Sequence, residues 1–427
     1  MSYATTRDSE QLRRIFNTAV PDFIWRHQSH QWAGPRRTLF LFPGGMAGQL
    51  LRPQTPYDDN LITPQTFNYD TVWLTPLTFL PPGALQLAMH HDPRDPPAVE
   101  RDLDDRIIIA DGVVNLLGAT PYDQFTQWCE LNELDWFIFS WDWRRRLDDV
   151  VALFLRFLPQ FQSTVINQCG ADPLSDFVLV GHSFGGMVVN LILHQANSLL
   201  DTMTRALTVA APFYGYGGQI HHWFEGDQYF NWTLGKINVI ETISSMPACY
   251  TLPYLDWKST YGTYGTALQM DPDFPLRTYP SDFVGGNPQL IADPFNPIQQ
   301  QYQDDTGFDP TLLSGGLQIF QLLAFPPLPR YAGKFFNIRG VQTQNNTVLG
   351  NTVQGITWQL LANPPNDPAV SPIDDDQPLG PGDDTLPAWS TRHVALPNAQ
   401  WVTVEAAIDH MFMMEYAQTQ QAIAGVL

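Results

Sequence analysis

One stretch in the middle of the chain restricts its possible folds more than any other. Phe177–Val180 is a valine-rich apolar run, which is typical of a buried strand, and apolar residues at helical spacing follow Gly186. Residues 181–185 between them read Gly-His-Ser-Phe-Gly, the G-x-S-x-G pattern of a strand–turn–helix nucleophile turn. Glycines at both ends allow a turn tight enough to project the Ser183 hydroxyl above a sheet. A plain glycine-rich loop with a solvated serine is the alternative.

Strand and helix patterns alternate on both sides of this turn. Buried strands are predicted near residues 38–42, 135–140, 206–211, 334–340 and 400–405, and helices near residues 120–131, 148–168 and 411–426. Such alternation predicts an α/β fold, with a mostly parallel central sheet flanked by helices. Ser9–Thr18 is predicted to be a short docking helix that ends soon afterwards at Pro21. Residues 1–35 would then form an N-terminal docking segment.

Two long regions interrupt the alternation. Leu50–Thr75 contains several prolines and no clear periodicity, and we expect a lid there. Residues 213–330 are rich in aromatic residues and proline, which predicts a cap inserted after a core strand; a second structural lobe is the alternative. The predicted core comprises residues 36–212 and 331–427.

Composition excludes several classes of partner. The formal net charge is −21, and charged residues make up only 15% of the chain. This argues against a nucleic-acid partner and against electrostatic docking on anionic membranes. Transient hydrophobic contact with a lipid interface stays open. No apolar run reaches the length of a membrane span, about 18 residues, and the polar N-terminus is unlike a secretory signal. We therefore expect a cytoplasmic protein without a transmembrane segment.

No metal or cofactor is predicted. The three cysteines are far apart and include no C-x-x-C pair, so neither a zinc site nor a disulfide framework is indicated. The acidic cluster at residues 374–376 lacks the spacing of a calcium-binding loop, and a solvated loop is the better interpretation.

Two late loops carry candidate partners for Ser183. A serine nucleophile needs a base within hydrogen-bonding reach, and the base needs an acid to hold its tautomer. On sheets of this kind they follow in the chain order serine, acid, histidine. Asp383 and His410 fit that order. Asp384 is the alternative acid, and His393 is the alternative base.

Backbone N–H groups are predicted to complete the site. Residues 43–48 form a glycine-rich loop directly after an early strand, where a second donor to an oxyanion is expected. We assign the oxyanion hole to the N–H groups of Gly45 and Phe184, with Met46 as the alternative to Gly45. An ordinary glycine turn without a catalytic role is the alternative interpretation of this loop. The predicted substrate-binding residues are Met46, His182, Trp223 and Phe224.

Taken together, these motifs resemble the lecithin:cholesterol acyltransferase family, which includes lysosomal phospholipase A2 and phospholipid:diacylglycerol acyltransferases. The likeness runs in segments from Thr38 to the C-terminus. Its elements are the loop 43–48, Trp-Asp-Trp-Arg at 141–144, the turn 181–186, Ala-Pro-Phe-Tyr-Gly at 211–215, Ser-Met-Pro-Ala at 245–248, Gly-Asp-Asp-Thr-Leu at 382–386 and the loop of His410.

The resemblance implies an α/β-hydrolase fold, with an inserted cap and a lid loop. It also implies that Asp383 is the triad acid and that Asp142 and Arg144 form a structural ion pair near the site. Trp141 stands where the family has tyrosine, and no cysteine precedes Cys129, so a lid at 50–75 cannot be closed by the disulfide often found there.

These residues predict a serine esterase or lipase that hydrolyses hydrophobic, lipid-like carboxylic esters through an acyl-enzyme on Ser183. The alternative is a lipid acyltransferase that passes the acyl group to an alcohol. A non-catalytic lipid-binding relative is a third possibility, and it predicts a displaced or missing triad member.

Overall fold

A computed structural model describes most of the predicted core and little of the predicted cap. The described residues are 3–30, 36–54, 69–73, 87–91, 100–102, 107–115, 120–213, 215, 242–243, 245–251, 312, 315–316, 318–319, 322–323, 325–342, 358–361, 369–372, 383, 385–386, 390–391, 393, 396–397, 400–406 and 409–427.

Helices and strands alternate along the described ranges. In chain order they are α1 (Tyr3–Asn17), α2 (Ala19–Ser29), β1 (Arg37–Phe42), β2 (Gly48–Pro53), β3 (Tyr69–Trp73), β4 (Met89–His91), β5 (Glu100–Asp102), β6 (Ile109–Val113), α3 (Asp123–Leu131), β7 (Leu134–Ile138), α4 (Leu147–Cys169), β8 (Phe177–His182), α5 (Phe184–Ile192), β9 (Met203–Val209), α6 (Pro329–Ala332), β10 (Phe335–Gln342), β11 (Trp358–Leu361), β12 (Ala369–Pro372), β13 (Trp401–Ala406) and α7 (Ala417–Val426). Short 3₁₀ turns span Ser198–Leu200, Pro247–Thr251 and Met413–Glu415.

Six of the described strands form the central sheet. Their spatial order is β13-β10-β9-β8-β1-β7, and every neighbouring pair is parallel. Strand β8 lies in the interior of the sheet, and its carboxyl end leads into the turn at Ser183. This order of parallel strands, with a strand–turn–helix elbow after a central one, is the α/β-hydrolase fold. The predicted fold class is confirmed.

Alternating residues of β1 supply two separate cores, because successive side chains of a strand point to opposite faces. Phe40 and Phe42 face α4, where the rings of Phe40 and Phe161 are 5.4 Å apart and those of Phe42 and Phe154 are 4.8 Å apart. Leu39 and Leu41 belong to the core on the other face, with residues of α3 and α7. Burying each such side chain stabilises the fold by about 1.5–3 kcal/mol. The sheet that carries the site is therefore packed on both faces.

The N-terminal helices differ from the sequence prediction. Helix α1 begins at Tyr3, before the predicted start at Ser9, and ends at Asn17, next to the predicted end at Thr18. Pro21 lies inside the first turn of α2. A proline is tolerated there because the first N–H groups of a helix have no intrahelical partner. Helix α1 is docked by Gln11, whose side-chain amide exchanges hydrogen bonds of 2.7 and 2.6 Å with the backbone of Ala110.

The flanks of the predicted lid are strands. Strand β2 pairs antiparallel with both β3 and β6 in a three-stranded sheet beside the loop 43–48. Residues 55–68 between β2 and β3 lie outside the described residues, as does most of the predicted cap, so the lid and the cap stay predictions. Within the described ranges, no helix combines the length and apolarity needed to cross a membrane.

Candidate active site

The turn after β8 holds Ser183 in a conformation that ordinary residues avoid. Its φ is 52° and its ψ is −124°. A Cβ atom on Gly181 would lie 2.3 Å from the carbonyl oxygen of Gly185, and one on Gly185 would lie 2.1 Å from that of Phe42. Such separations are far below van der Waals contact, so both positions require glycine. The strand, the turn and α5 are pressed together, and this contact keeps Ser183 in its strained backbone conformation.

Three side chains that are distant in sequence meet at this turn. The Ser183 Oγ lies 2.8 Å from Nε2 of His410, and Nδ1 of His410 lies 2.7 Å from Oδ2 of Asp383. The other carboxylate oxygen, Oδ1, accepts N–H bonds from Leu386 at 2.8 Å and Thr385 at 3.3 Å. Asp383 is fully buried and His410 nearly so. With Nδ1–H donated to the carboxylate, Nε2 of His410 has its lone pair directed at the serine hydroxyl.

The structure describes the alternative base, His393, but not the alternative acid, Asp384. His393 is fully buried between the rings of Phe213 and Phe335, at centroid distances of 4.8 and 5.4 Å. Burial, together with the charge effect of the neighbouring His194, lowers the pKa of His393 to about 3. Among the described residues, His410 is the histidine whose ring reaches the Ser183 hydroxyl.

The glycine-rich loop lies beside the serine, because a Cβ atom on Gly44 would be 3.2 Å from the Cβ of Ser183. A Cβ atom on Gly45 would lie 3.0 Å from the ring of Phe184, so the two residues are neighbours in space. In hydrogen bonds between described residues, neither the N–H of Gly45 nor that of Phe184 is used. Met46, the predicted alternative donor, has a left-handed φ of 63° and an exposed side chain. Among the described residues, the N–H groups of Gly45 and Phe184 therefore remain available to an acceptor outside the chain.

Three tryptophans hold this loop, a feature that the sequence analysis missed. Their indole N–H groups donate to three carbonyls of the loop: Trp141 to Pro43 at 3.1 Å, Trp73 to Met46 at 2.7 Å and Trp143 to Gly48 at 3.2 Å. Trp73 and Trp143 also pack edge to face, 5.4 Å apart. The only sequence signal was the spacing of Trp141 and Trp143 in the Trp-Asp-Trp-Arg motif. Gly45 lies between the held carbonyls of Pro43 and Met46, so these bonds limit the movement of its N–H.

The predicted ion pair is buried and links several loops. Arg144 donates to both carboxylate oxygens of Asp142, at 2.9 and 2.6 Å, and to the Leu87 carbonyl at 3.2 Å. The Arg144 carbonyl accepts the N–H of Ala248 at 3.1 Å. Burial by itself would raise the pKa of Asp142, but the charge and hydrogen bonds of Arg144 outweigh it and hold that pKa below its usual value. These contacts are those of a structural support.

His182 was predicted to bind substrate, but its ring is committed elsewhere. It is buried; Nε2 lies 2.9 Å from the His410 carbonyl and Nδ1 lies 3.0 Å from the Tyr122 hydroxyl. Sequence reasoning missed Tyr122, which directly precedes α3 and carries no motif. The other predicted substrate-binding residues, Trp223 and Phe224, lie outside the described residues.

Comparisons with known proteins give structural neighbours only. No protein-family profile and no curated protein matches the chain. The chain is similar to a structure described as the crystal structure of the Tle4–Tli4 complex, with 11% identity, a TM-score of 0.49, and coverage of 92% of this chain and 98% of that one. It is also similar to the Bacillus licheniformis lipase BlEst2 in mature form, with 11% identity, a TM-score of 0.33, and coverage of 72% and 85%. The fold assignment rests on the sheet order and the elbow.

Proposed function

We propose that the protein is a serine hydrolase that cleaves hydrophobic carboxylic esters. The observation that carries the proposal is the continuous hydrogen-bond chain from the Ser183 hydroxyl through His410 to Asp383, at 2.8 and 2.7 Å. A serine hydroxyl is a poor nucleophile until a base of this kind removes its proton. A non-catalytic relative would be expected to lack or displace one of the three groups, so this arrangement favours catalysis.

The first half of the reaction acylates Ser183. Nε2 of His410 takes the hydroxyl proton as Oγ forms a bond to the ester carbonyl carbon, and the carbonyl oxygen becomes an oxyanion. The N–H groups of Phe184 and Gly45 stabilise that charge. Nε2 then delivers the proton to the alcohol oxygen as the carbon–oxygen bond breaks. Asp383 stabilises the transient cation on His410.

The second half releases the acyl group. A water molecule loses its proton to Nε2 of His410 while its oxygen attacks the acyl carbon. The resulting tetrahedral intermediate expels Oγ of Ser183, which takes the proton back. An alcohol in place of the water would complete an acyl transfer instead. We infer hydrolysis as the activity because the described residues reveal no acceptor site.

Charge and the rim of the site support an apolar substrate. Met46 and Met411 are exposed on the two segments beside the serine. These are residues 43–48, named the oxyanion loop for its proposed role, and residues 409–415, named the histidine loop. The chain carries a net charge of −21, which disfavours anionic substrates. We therefore infer a neutral or zwitterionic ester, such as an acylglycerol or a phospholipid. The shared motifs lead us to place the chain near the lecithin:cholesterol acyltransferase family, with a lid near residues 50–75 and a cap over residues 213–330.

Covalent labelling tests the nucleophile directly. A fluorophosphonate should label the native full-length chain at one site and should not label Ser183→Ala. Ser175→Ala is the matched control, because Ser175 is an exposed serine that precedes β8 at the opposite edge of the sheet. It should label like the native chain. Absence of labelling in the native protein would overturn the proposal and favour a lipid-binding role.

A substrate panel separates hydrolysis from transfer. p-Nitrophenyl esters of increasing chain length, triacylglycerol and phosphatidylcholine should each be tested with and without a long-chain alcohol. Free fatty acid as the main product supports hydrolysis. An ester of the added alcohol as the main product would establish the acyltransferase alternative.

A further inference from the structure

A buried chain of hydrogen bonds connects the oxyanion loop with the histidine loop. The Gly44 N–H donates to the Tyr122 hydroxyl oxygen at 2.8 Å, and that oxygen lies 3.0 Å from Nδ1 of His182. Nε2 of His182 lies 2.9 Å from the carbonyl oxygen of His410. Residues separated by more than 200 positions in sequence are therefore joined through two side chains.

Only one set of proton positions satisfies every member of this chain. A carbonyl oxygen can only accept, so Nε2 of His182 must carry a hydrogen and donate it to His410. Nδ1 of the neutral ring is then an acceptor, and the Tyr122 hydroxyl must donate to it. The Tyr122 oxygen remains free to accept the Gly44 N–H. Each donor has one acceptor, so the chain specifies both the tautomer of His182 and the direction of every bond.

The two side chains of this hydrogen-bond chain also keep the same protonation state across the working pH range. Burial and the nearby His410 lower the pKa of His182 to about 3, and burial raises the pKa of Tyr122. Both groups therefore stay neutral over the pH range in which a histidine base works. The geometry that they impose does not change when His410 gains and loses its proton.

The helix that follows Tyr122 makes a second, independent tie to the histidine loop. The carboxylate of Glu415 accepts the N–H groups of Gln124 and Phe125, at 2.9 and 3.2 Å. These are free N–H groups of the first turn of α3. The start of α3 thus contacts the oxyanion loop through Gly44, and it contacts the histidine loop through both His182 and Glu415.

We propose that Tyr122 is a positioning residue that acts through His182 to hold the oxyanion loop and the catalytic histidine in register. The proposal rests on the function proposed above. In the acylation step the base at His410 and the N–H of Gly45 must act on the same carbonyl group. A displacement of either by about 1 Å can lower the rate about 100-fold. The hydrogen bonds of the Tyr122 hydroxyl go to Gly44 and His182, so its proposed contribution is to keep the distance between the two loops constant.

Removal of the hydroxyl should reduce turnover more than binding. In Tyr122→Phe the buried Gly44 N–H loses its acceptor and Nδ1 of His182 loses its donor, so both loops gain freedom. We expect kcat on a p-nitrophenyl ester to fall about 10- to 100-fold. KM should stay within about twofold, because no group that contacts the ester has been removed.

Tyr331→Phe is the matched control. Tyr331 has a fully buried ring, and its hydroxyl donates to the Asn197 carbonyl at 3.1 Å, away from the site. Tyr331→Phe removes the same atom and one hydrogen bond, so it shows what the loss of such a bond costs in thermal stability without disturbing the site. The predicted fall in kcat should appear in Tyr122→Phe and not in Tyr331→Phe. Equal kcat values for the two variants would overturn the proposal.

A second variant tests whether Tyr122 acts through His182. His182→Gln keeps an N–H donor at the end of the side chain for the His410 carbonyl, and it removes the ring nitrogen Nδ1 that accepts from Tyr122. If the two residues act in one chain, the loss of kcat in Tyr122→Phe/His182→Gln should match the larger single loss rather than the product of both. If the kcat loss of the double variant equals the product of the two single losses, Tyr122 and His182 act independently and the proposal is wrong. A native protein without esterase activity or labelling would instead refute the proposed function itself.

Discussion

At the scale of single residues, Asp383 determines which nitrogen of His410 carries a proton. Its Oδ2 accepts from Nδ1 of His410 at 2.7 Å, while Oδ1 is held by the Leu386 N–H at 2.8 Å. The carboxylate therefore cannot rotate without breaking a buried backbone bond. A residue that could donate toward Nδ1 would favour the wrong tautomer and place a hydrogen between Nε2 and Ser183.

Asp383→Asn tests this assignment. The asparagine can present its amide N–H to Nδ1, so Nε2 would carry the hydrogen and could not accept the Ser183 proton. We expect kcat to fall about 10³- to 10⁴-fold with little change in KM. Initial rates of ester hydrolysis measure the effect. Asp409→Asn is the control, because Asp409 adjoins His410 but its side chain accepts the Met411 N–H instead, at 2.8 Å.

The same assay decides between the two candidate acids. Asp384→Asn should retain activity near that of the native chain. A large loss in Asp384→Asn together with a small loss in Asp383→Asn would contradict the assignment of Asp383.

At the scale of elements, the loops of the site depend on contacts with distant segments. Three indole N–H groups hold the oxyanion loop, and the first turn of α3 holds the histidine loop through Glu415. Glu415 serves as an N-terminal cap for α3 although it lies some 290 positions later in the chain. Loss of a side-chain cap typically destabilises a protein by about 1 kcal/mol.

Glu415→Ala should therefore change stability and activity together. We expect a loss of about 0.5–2 kcal/mol in the free energy of unfolding, measured by urea denaturation, because the first turn of α3 loses its acceptor. We also expect kcat to fall severalfold, because His410 lies on the loop that is released.

Glu405→Ala provides the comparison for the cap. Glu405 is an exposed acid on β13. Its removal should change stability by less than about 0.5 kcal/mol. Similar losses in the two variants would show that Glu415 does not act as a cap.

At the scale of the whole molecule, buried neutral histidines make the fold sensitive to acid. His182 and His393 are both buried, and burial lowers the pKa of each to about 3 from an ordinary value of 6.5. Above pH 6.5 the folded and the unfolded chain both hold neutral rings, so stability does not depend on these groups. Below that value the unfolded chain binds protons that the folded chain takes up only near pH 3. The free energy of unfolding therefore decreases as the pH is lowered from about 6.5 to about 3.

His393→Phe should reduce this acid sensitivity. The substitution keeps an aromatic ring between Phe213 and Phe335 and removes the titrating group. Between pH 6.5 and pH 5 one such histidine accounts for about 2 kcal/mol of lost stability. The difference in unfolding free energy between pH 8 and pH 5 should shrink by about that amount relative to the native chain. An unchanged difference would contradict the role of His393 burial.

Local patterns alone predicted much of the architecture. The valine-rich run, the G-x-S-x-G turn and the apolar residues after it each report on neighbours within a few positions, and β8, the turn at Ser183 and α5 lie where they were predicted. The same holds for α3, α4, β9 and β13, because hydrophobic periodicity reflects which face of an element is buried. The pattern around Pro21 failed because proline is tolerated both after a helix and within the first turn of the next one.

The order of Ser183, Asp383 and His410 along the chain was also predictable, since each belongs to a short motif. Their approach to 2.8 and 2.7 Å was decided by the tertiary structure, which brings the ends of β8, β10 and β13 to one edge of the sheet. Tyr122, Trp73 and Glu415 carry no motif, because a hydrogen bond between distant segments leaves no periodicity in either one. The sequence determined which groups are available for chemistry, and only the fold decided which side chains hold them in place.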